Sequence, residues 1–207
     1  MERDTAPAAD NLSLRLDDKT ELRLVDQSDA EELFGVIDRN RDHLRRWLPW
    51  VVPEYSIETS RRFLTESADA FAERRSRTMT IRHQGVLCGV IGLHVVDALH
   101  RSTSIGYWID AVHEGKGIMT AACRAMVTEG FRAFGLHRIE IRCATGNHRS
   151  CAIPRKLGFV EEGVLREAEW LHDQWADLRV FSMLARDWNP GSGIYNPPAT
   201  SRIVPVT

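Results

Sequence analysis

The chain has 207 residues, of which 43% are hydrophobic and 27% charged, and its formal net charge is −2. This length predicts one compact domain, and the composition is that of a globular protein rather than a disordered one. No apolar run is long enough to cross a bilayer, and residues 1–4 are too acidic to open a secretory signal. The small net charge also gives no reason to expect nucleic-acid binding.

Cysteine usage indicates the compartment. The four cysteines form no CxxC pair and no disulfide-dense pattern; they are Cys88, Cys123, Cys143 and Cys151. Such a pattern is typical of reduced, mostly buried thiols. We therefore expect a cytoplasmic protein.

The N-terminal half predicts alternating strands and helices. Residues 1–11 are polar and rich in Pro and Ala, which predicts disorder, and residues 21–25 alternate as a short strand. Ser28 is predicted to cap a helix that runs to residue 40, because acidic residues follow it. A second long helix begins at Ser56 or Thr59. Residues 79–82 and 86–96 then predict a hairpin that turns at residues 84–85.

The C-terminal half continues this alternation. Strands are predicted at 103–109, 138–144, 160–166 and 177–184, and helices at 118–134 and 149–157, the second closed by Gly158. Residues 189–207 form a tail rich in Pro and Gly. The expected organisation is a single domain over residues 12–188, with a mixed sheet and helices on both of its faces.

A glycine turn lies between the predicted strand 103–109 and the helix that begins at residue 118. Gly115 and Gly117 allow a sharp bend and a close approach of the backbone to a ligand. The amides that follow belong to a helix N-terminus, which favours an anion. Strand, turn and helix together predict a phosphate cradle, although a structural tight turn remains the alternative for this motif taken by itself.

Several segments together resemble one family. They are IGYWID and EGKGIMT (105–110 and 114–120), NHRSCAI and KLGF (147–153 and 156–159), REAEWL (166–171) with Asp173 and Asp177 beyond it, and RRWLPWV (45–51). In this order they resemble the GCN5-related N-acetyltransferases (GNAT), and within them the RimJ/RimL type that acetylates the N-termini of ribosomal proteins. The resemblance covers residues 20–188.

The resemblance implies the GNAT fold, an α/β fold with a mixed, mostly antiparallel sheet of about seven strands. The sheet would splay between its fourth and fifth strands, here residues 103–109 and 138–144, and acetyl-CoA would fill the gap without any metal. The pantetheine amides could then pair with the exposed strand backbone. The implied cofactor-binding residues are Tyr107, Trp108, Ile109, Gly115, Lys116, Gly117, Ile118, Met119, Thr120, Asn147 and Ser150.

The same resemblance implies the catalytic residues. Glu169 would be the general base for direct attack of an amine on the thioester, acting through a water, and its apolar neighbours could raise its pKa. The alternative for Glu169 is a strand-edge ion pair with Arg166. Ser150 would protonate the departing sulfur, with a plain helix cap as its alternative. Pro154 deprives the Ser150 carbonyl of its helical donor, which predicts a loosened first turn.

The sequence departs from the general family pattern at Glu114, at Met119, which also occurs in this subfamily, and at Pro154. Glu114 stands where the family usually has Gln or Arg, and a carboxylate there would repel a diphosphate. The Tyr that often serves as general acid in the family is replaced by Pro154. Asn147 would bond a pantetheine amide, but an N-cap is an equal alternative. The oxyanion donor is expected to be a backbone amide near Trp108 or Ile109.

The acceptor is expected to be a primary amine, either a protein N-terminus or a small molecule. Trp47, Trp50 and Trp170 are the expected walls of its pocket, with a core role as the alternative for each. A non-catalytic acyl-CoA-binding module is the competing function, suggested by Glu114 and by the missing Tyr. No His or Cys spacing indicates a metal site. The family resemblance also allows a homodimer.

Overall fold

The computed structural model describes residues 13–191, so the predicted disorder of residues 1–11 and most of the predicted tail lie outside the described residues. The strands are β1 (Ser13–Arg15), β2 (Thr20–Leu24), β3 (Arg77–His83), β4 (Val86–Leu93), β5 (Ser102–Ile109), β6 (Arg138–Ala144), β7 (Val160–Leu171) and β8 (Gln174–Leu184). The α-helices are α1 (Ala30–Arg39), α2 (Arg41–Arg45), α3 (Ile57–Ala72), α4 (Ile118–Arg132) and α5 (His148–Lys156). None of these helices is long and apolar enough to cross a membrane.

One mixed sheet contains all eight strands, in the order β1-β2-β3-β4-β5-β6-β8-β7. Every neighbouring pair is antiparallel except β5 and β6. The expected mixed, mostly antiparallel sheet is confirmed, with one strand more than the seven predicted. The extra strand is β1, whose three residues are too few for a periodic pattern, although Leu14 is buried there.

The two parallel strands separate as the family resemblance implies. β5 pairs with β6 only through Ser102–Ser104, which face Arg138–Glu140. From Ile105 onward, β5 is paired with β4 alone. Because β1 adds a strand, the gap lies between the fifth and sixth strands of the chain rather than between the fourth and fifth. The segments that border it are the predicted ones.

Two apolar clusters cover the two faces of the sheet. One face packs against α4 and α5, and its fully buried side chains include Met126 and Phe181. The other face packs against α1, α2 and α3 through Leu33, Leu64 and Val90. Helices on both faces were predicted and are present. All four cysteines are buried and free.

The first helix begins differently from the prediction. The N-cap is Asp26 rather than Ser28, because the Asp26 Oδ1 accepts a hydrogen bond from the Ser28 amide at 2.9 Å. A short 3-10 turn, Gln27–Asp29, precedes α1. Of the two predicted starts of the second long helix, Ser56 is confirmed, because it is the N-cap of α3.

The last hairpin is longer than predicted. β7 continues to Leu171 and β8 begins at Gln174, whereas the sequence pattern breaks at residues 166 and 177. The break is a bulge: between the pairs Leu165–Leu178 and Glu169–Ala176, β7 takes four residue steps and β8 takes two. Glu167 has a φ of 48°, and its amide donates to the Asp177 carboxylate at 2.8 Å. Because this stretch is irregular, the sequence here lacks the alternating pattern from which a strand is predicted.

Candidate active site

A cavity of about 1610 Å³ opens where β5 and β6 separate. The glycine turn and the start of α4 form one wall, and the start of α5 forms another. Side chains of α1, α2 and α3 line the part of the cavity that lies on the opposite face of the sheet. The Glu169 side chain enters the cavity from β7. Elements that are distant in sequence therefore meet around the gap.

The glycine turn bends sharply, as the sequence predicts. Gly115 and Gly117 have φ values of 73° and 81°, which are unfavourable for residues with a Cβ. Gly117 is the N-cap of α4. Apart from each glycine and its chain neighbours, no heavy atom of residues 13–191 lies within 4 Å of the position that a Cβ would take, so the space beside both glycines is open to a ligand. A phosphate fits these amides and this helix N-terminus.

The free edge of β5 can be assigned from its hydrogen bonds to β4. The His94 amide donates to the Ser104 carbonyl at 2.9 Å, and the Asp110 amide donates to the Cys88 carbonyl at 2.7 Å. Because bonding alternates along an antiparallel strand, Trp108 directs its backbone groups toward β4. Tyr107 and Ile109 direct theirs toward the gap. The predicted amide near Trp108 or Ile109 is therefore placed at Ile109 or at Tyr107.

Glu114 does not stand alone beside the turn. One carboxylate oxygen accepts from His43 Nε2 at 2.9 Å, and the other accepts from the Arg149 guanidinium. His43 Nδ1 lies 3.0 Å from an Arg46 nitrogen, which can only donate, so Nδ1 accepts and the proton of the ring is on Nε2. Arg149 therefore pairs with the carboxylate directly, whereas Arg46 contacts the far side of the His43 ring. The expected repulsion of a diphosphate is reduced, because Glu114 is neutralised in place.

Ser150 lies at the start of α5 and lines the cavity. Its hydroxyl is 3.2 Å from the Tyr107 hydroxyl and 3.1 Å from the Cys143 sulfur. Tyr107 in turn donates to the Ser150 carbonyl at 3.1 Å. The predicted loosened turn is wrong: α5 is continuous through Pro154, and the phenol occupies the position of the missing amide donor.

Asn147 has the capping role that the sequence left as an alternative. Its side-chain oxygen accepts the Ser150 amide at 3.1 Å. Asn147 also lines the cavity, so its amide nitrogen is available to a ligand. Both interpretations of this residue fit the same geometry.

Glu169 is half-buried and lines the cavity. Burial raises the pKa of its carboxyl group above the ordinary value. The Glu169 carboxylate has no hydrogen-bond or ion-pair partner among residues 13–191. The alternative ion pair with Arg166 does not occur. A carboxylate in this setting is suited to accept a proton from a substrate or a water.

The three predicted tryptophans divide between two places. Trp47 and Trp50 line the cavity, and the Trp50 ring centre is 6.3 Å from that of Trp108. Trp170 does not line it: the ring is half exposed and packs edge-on against Trp175, with 5.1 Å between ring centres. Neighbouring residues of a strand point to opposite faces, so Trp170 points away from the cavity that Glu169 faces.

The predicted cofactor residues also meet at the cavity, with one exception. Lys116 is exposed and does not line it, whereas Tyr107, Trp108, Ile109, Gly115, Gly117, Ile118, Met119, Thr120, Asn147 and Ser150 do. Sequence reasoning missed Cys143, the sulfur beside Ser150, and two ring side chains of the opposite wall, Tyr55 and Phe63. The aromatic character of the last two was visible in the sequence, but their position was not.

No group of three or more His, Cys, Asp or Glu side chains in the described part of the chain is arranged to hold a metal ion. His113 ends the short 3-10 turn that precedes the glycine turn. Its ring lies 5.7 Å from that of His83, edge to face, between the glycine turn and β3.

Known proteins that are similar to this chain in sequence or in structure indicate its family. A family model described as an acetyltransferase (GNAT) domain matches residues 19–160. The Bacillus subtilis (strain 168) protein YdaF, a candidate ribosomal N-acetyltransferase by name, is 37% identical over 81% of this chain and 92% of its own length. The ribosomal-protein-serine acetyltransferase of Escherichia coli (strain K12) is 26% identical over 83% of this chain and 96% of its own.

A solved structure is similar throughout the fold. It is RimL, a ribosomal L7/L12 alpha-N-protein acetyltransferase in complex with coenzyme A. The similarity has a TM-score of 0.80 at 25% sequence identity, and covers 83% of this chain and 97% of that one.

Proposed function

Because this chain belongs to the GNAT family of acetyltransferases and is an acetyl-CoA-dependent N-acetyltransferase, we propose that its acceptor is the α-amino group of a protein N-terminus. The names of its relatives point to ribosomal proteins, and the Escherichia coli relative is named for serine. Such an acceptor would also place the enzyme in the cytoplasm, in keeping with four free, buried thiols.

One observation carries the catalytic part of the proposal. Glu169, an unpaired half-buried carboxylate, and Ser150, a hydroxyl beside a sulfur, line the same cavity as the glycine turn. Transfer of an acetyl group to an amine needs a proton acceptor at the nitrogen and a proton donor at the sulfur. The cavity offers one group of each kind.

Glu169 is the proposed base. It removes a proton from the acceptor ammonium, through a water, so that the neutral amine can attack the thioester carbonyl. The raised pKa of the carboxyl group brings its basicity closer to the working pH. Glu169 lies on β7, across the gap from β5, and lines the same cavity as the glycine turn.

Ser150 and the edge of β5 are the proposed donors. The Ser150 hydroxyl already lies within hydrogen-bond distance of one sulfur, Cys143, and the same hydroxyl would donate to the departing sulfur of coenzyme A. The gap-facing amides of Tyr107 and Ile109 would stabilise the negative charge that develops on the carbonyl oxygen. The amides that follow Gly115 and Gly117 would hold the pyrophosphate.

The test is release of coenzyme A from acetyl-CoA in the presence of defined acceptors. We would compare a peptide that begins with Ser, the same peptide with its N-terminus blocked, and a panel of small amines that includes a polyamine. We expect release with the free peptide and none with the blocked one. Preferential turnover of a small amine would contradict the proposed acceptor.

The same assay separates the enzyme from a non-catalytic acyl-CoA-binding module. Glu169→Gln should lower turnover by about 10²-fold or more, the range of general base catalysis, while coenzyme A binding stays intact. Binding of coenzyme A without release in the wild type, over every acceptor, would favour the binding module.

A further inference from the structure

We propose that Tyr107 is a positioning residue for Ser150: its phenol replaces the backbone donor that Pro154 lacks, and so holds the Ser150 hydroxyl where the departing sulfur needs it. This inference rests on the proposed role of Ser150. Tyr107 itself transfers no proton in this scheme. It acts across the gap, from β5 to α5.

The backbone relationship is the first step. In an α-helix the carbonyl of residue 150 accepts from the amide of residue 154, and proline has no amide hydrogen. The Tyr107 hydroxyl donates to this carbonyl at 3.1 Å. An exposed carbonyl could use water instead, but here the half-buried side chain of a residue on β5 supplies the donor. The first turn of α5 is therefore anchored to β5.

The second step is a count of hydrogens. The phenol has one hydrogen, which goes to the Ser150 carbonyl, so its oxygen can only accept from the Ser150 hydroxyl. The hydroxyl then has two acceptors at nearly equal distance, the phenol oxygen at 3.2 Å and the Cys143 sulfur at 3.1 Å. Its single proton can turn between them. A thiolate is a stronger acceptor than either, so the proton would turn to the departing sulfur.

The third step is the charge state of the phenol. Burial raises the pKa of Tyr107 well above its ordinary value. Tyr107 is therefore a neutral donor near pH 7. Its ring packs against the apolar cluster under α4, which fixes the hydroxyl in place.

The position of this bond makes it important for the site. Beyond Ser104, the backbones of β5 and β6 are not paired, so the two walls of the gap are not held together by the sheet. The Tyr107–Ser150 contact joins β5 to the helix that follows β6. Loss of the phenol would free the Ser150 turn while leaving the cofactor turn, at Gly115 and Gly117, unaffected.

The first experiment compares Tyr107→Phe, Ser150→Ala and the double variant. We expect Tyr107→Phe to lower kcat by about tenfold, the factor that a single hydrogen bond carries, with no more than about a twofold change in the dissociation constant of coenzyme A. In the Ser150→Ala background the same substitution should cause no further loss. Wild-type kcat in Tyr107→Phe, or multiplying losses in the double variant, would overturn the proposal.

The second experiment restores the donor. Pro154→Ala returns an amide to the position that faces the Ser150 carbonyl, so Tyr107→Phe/Pro154→Ala should regain most of the lost kcat. Pro154→Ala alone is the matched control, and melting temperatures show whether each variant folds. A folded double variant without recovery would contradict the idea that the phenol acts by holding this carbonyl.

A third measurement does not depend on turnover. Hydrogen–deuterium exchange of the peptide that covers residues 148–156, in protein without coenzyme A, should accelerate in Tyr107→Phe and return toward wild type when Pro154→Ala is added. Unchanged exchange would overturn the inference even if no acceptor is ever turned over. Absence of turnover in the wild type, with the expected exchange, would count against the proposed function only.

Discussion

The carboxylate of Glu114, in the glycine turn, holds the guanidinium of Arg149 at the start of α5. The other oxygen of the same carboxylate accepts from His43, on α2. Three parts of the site that are far apart in sequence are therefore joined at one side chain beside the expected phosphate position. The pair explains how the chain can have an acid where the family usually has Gln or Arg.

The Glu114 arrangement predicts an electrostatic effect on the cofactor. Glu114→Gln removes a negative charge near the phosphates and releases Arg149, so coenzyme A should bind about fivefold more tightly, on the order of 1 kcal/mol. Titration calorimetry at low and high salt tests this, because screening should shrink the difference. Arg149→Gln is the matched control and should weaken binding. Weaker binding in Glu114→Gln would mean that the carboxylate is needed to shape the turn.

Glu169 predicts a pH dependence. The carboxyl group must be ionised to act as a base, and burial raises its pKa, so kcat/KM should fall on acidification at a pH above the ordinary pKa of Glu. The acid limb should disappear in Glu169→Gln. An acid limb that persists unchanged in the variant would assign it to another group.

The same raised pKa fixes the sign of a stability effect. The folded protein binds the Glu169 proton more tightly than the unfolded chain, so this group lowers the free energy of unfolding as pH rises through the two pKa values. Glu169→Gln should therefore be no less stable than wild type at pH 7. A lower melting temperature would indicate that the carboxylate has a structural partner.

Gly117 predicts a separation of cofactor binding from folding. Alanine at a φ of 81° is strained by about 1–2 kcal/mol, and relief of that strain would move the amides of the turn. Gly117→Ala should weaken coenzyme A binding by about tenfold or more. Gly35→Ala, inside α1 with no atom near the added Cβ, is the control and should raise stability by up to about 1 kcal/mol without affecting binding. Equal effects of the two substitutions would refute a special role for the turn.

A buried ion pair predicts where the fold is most sensitive. Arg77 on β3 and Glu129 on α4 are joined at 2.8 Å, and both side chains are almost entirely buried. Glu129→Ala should lower the free energy of unfolding in urea by about 3–5 kcal/mol, because it removes the buried carboxylate that pairs with the Arg77 guanidinium. The exposed pair of Glu58 and Arg61 supplies the comparison: Glu58→Ala should change stability by less than about 1 kcal/mol.

Local patterns in the sequence predicted the parts of the site that lie within one turn or one strand. The limits of β6 and the sharp bend at Gly115 and Gly117 depend on neighbouring residues, and both were predicted correctly. The capping role of Asn147 was one of two open interpretations, and it follows from the same local logic.

The relationships that sequence could not provide join distant segments. Nothing near Pro154 indicates that Tyr107, 47 residues earlier, would supply the missing donor. The partners of Glu114 come from α2 and α5, so only folding shows that its charge is balanced. The sequence also did not show that Glu169 and Trp170 point to opposite faces, because the bulge before them conceals the strand on which they alternate.

The bulge on β7 also has a consequence for how such chains can vary in length. Across the bulge, β7 has two more residues than β8. Because this number is even, Glu169 lies on the same face of the sheet as Leu165. Removal of a single residue from this stretch would reverse every side chain beyond it and bring Trp170, instead of Glu169, to the cavity. We expect descendants of this chain that keep the carboxylate in place to gain or lose residues here only in pairs.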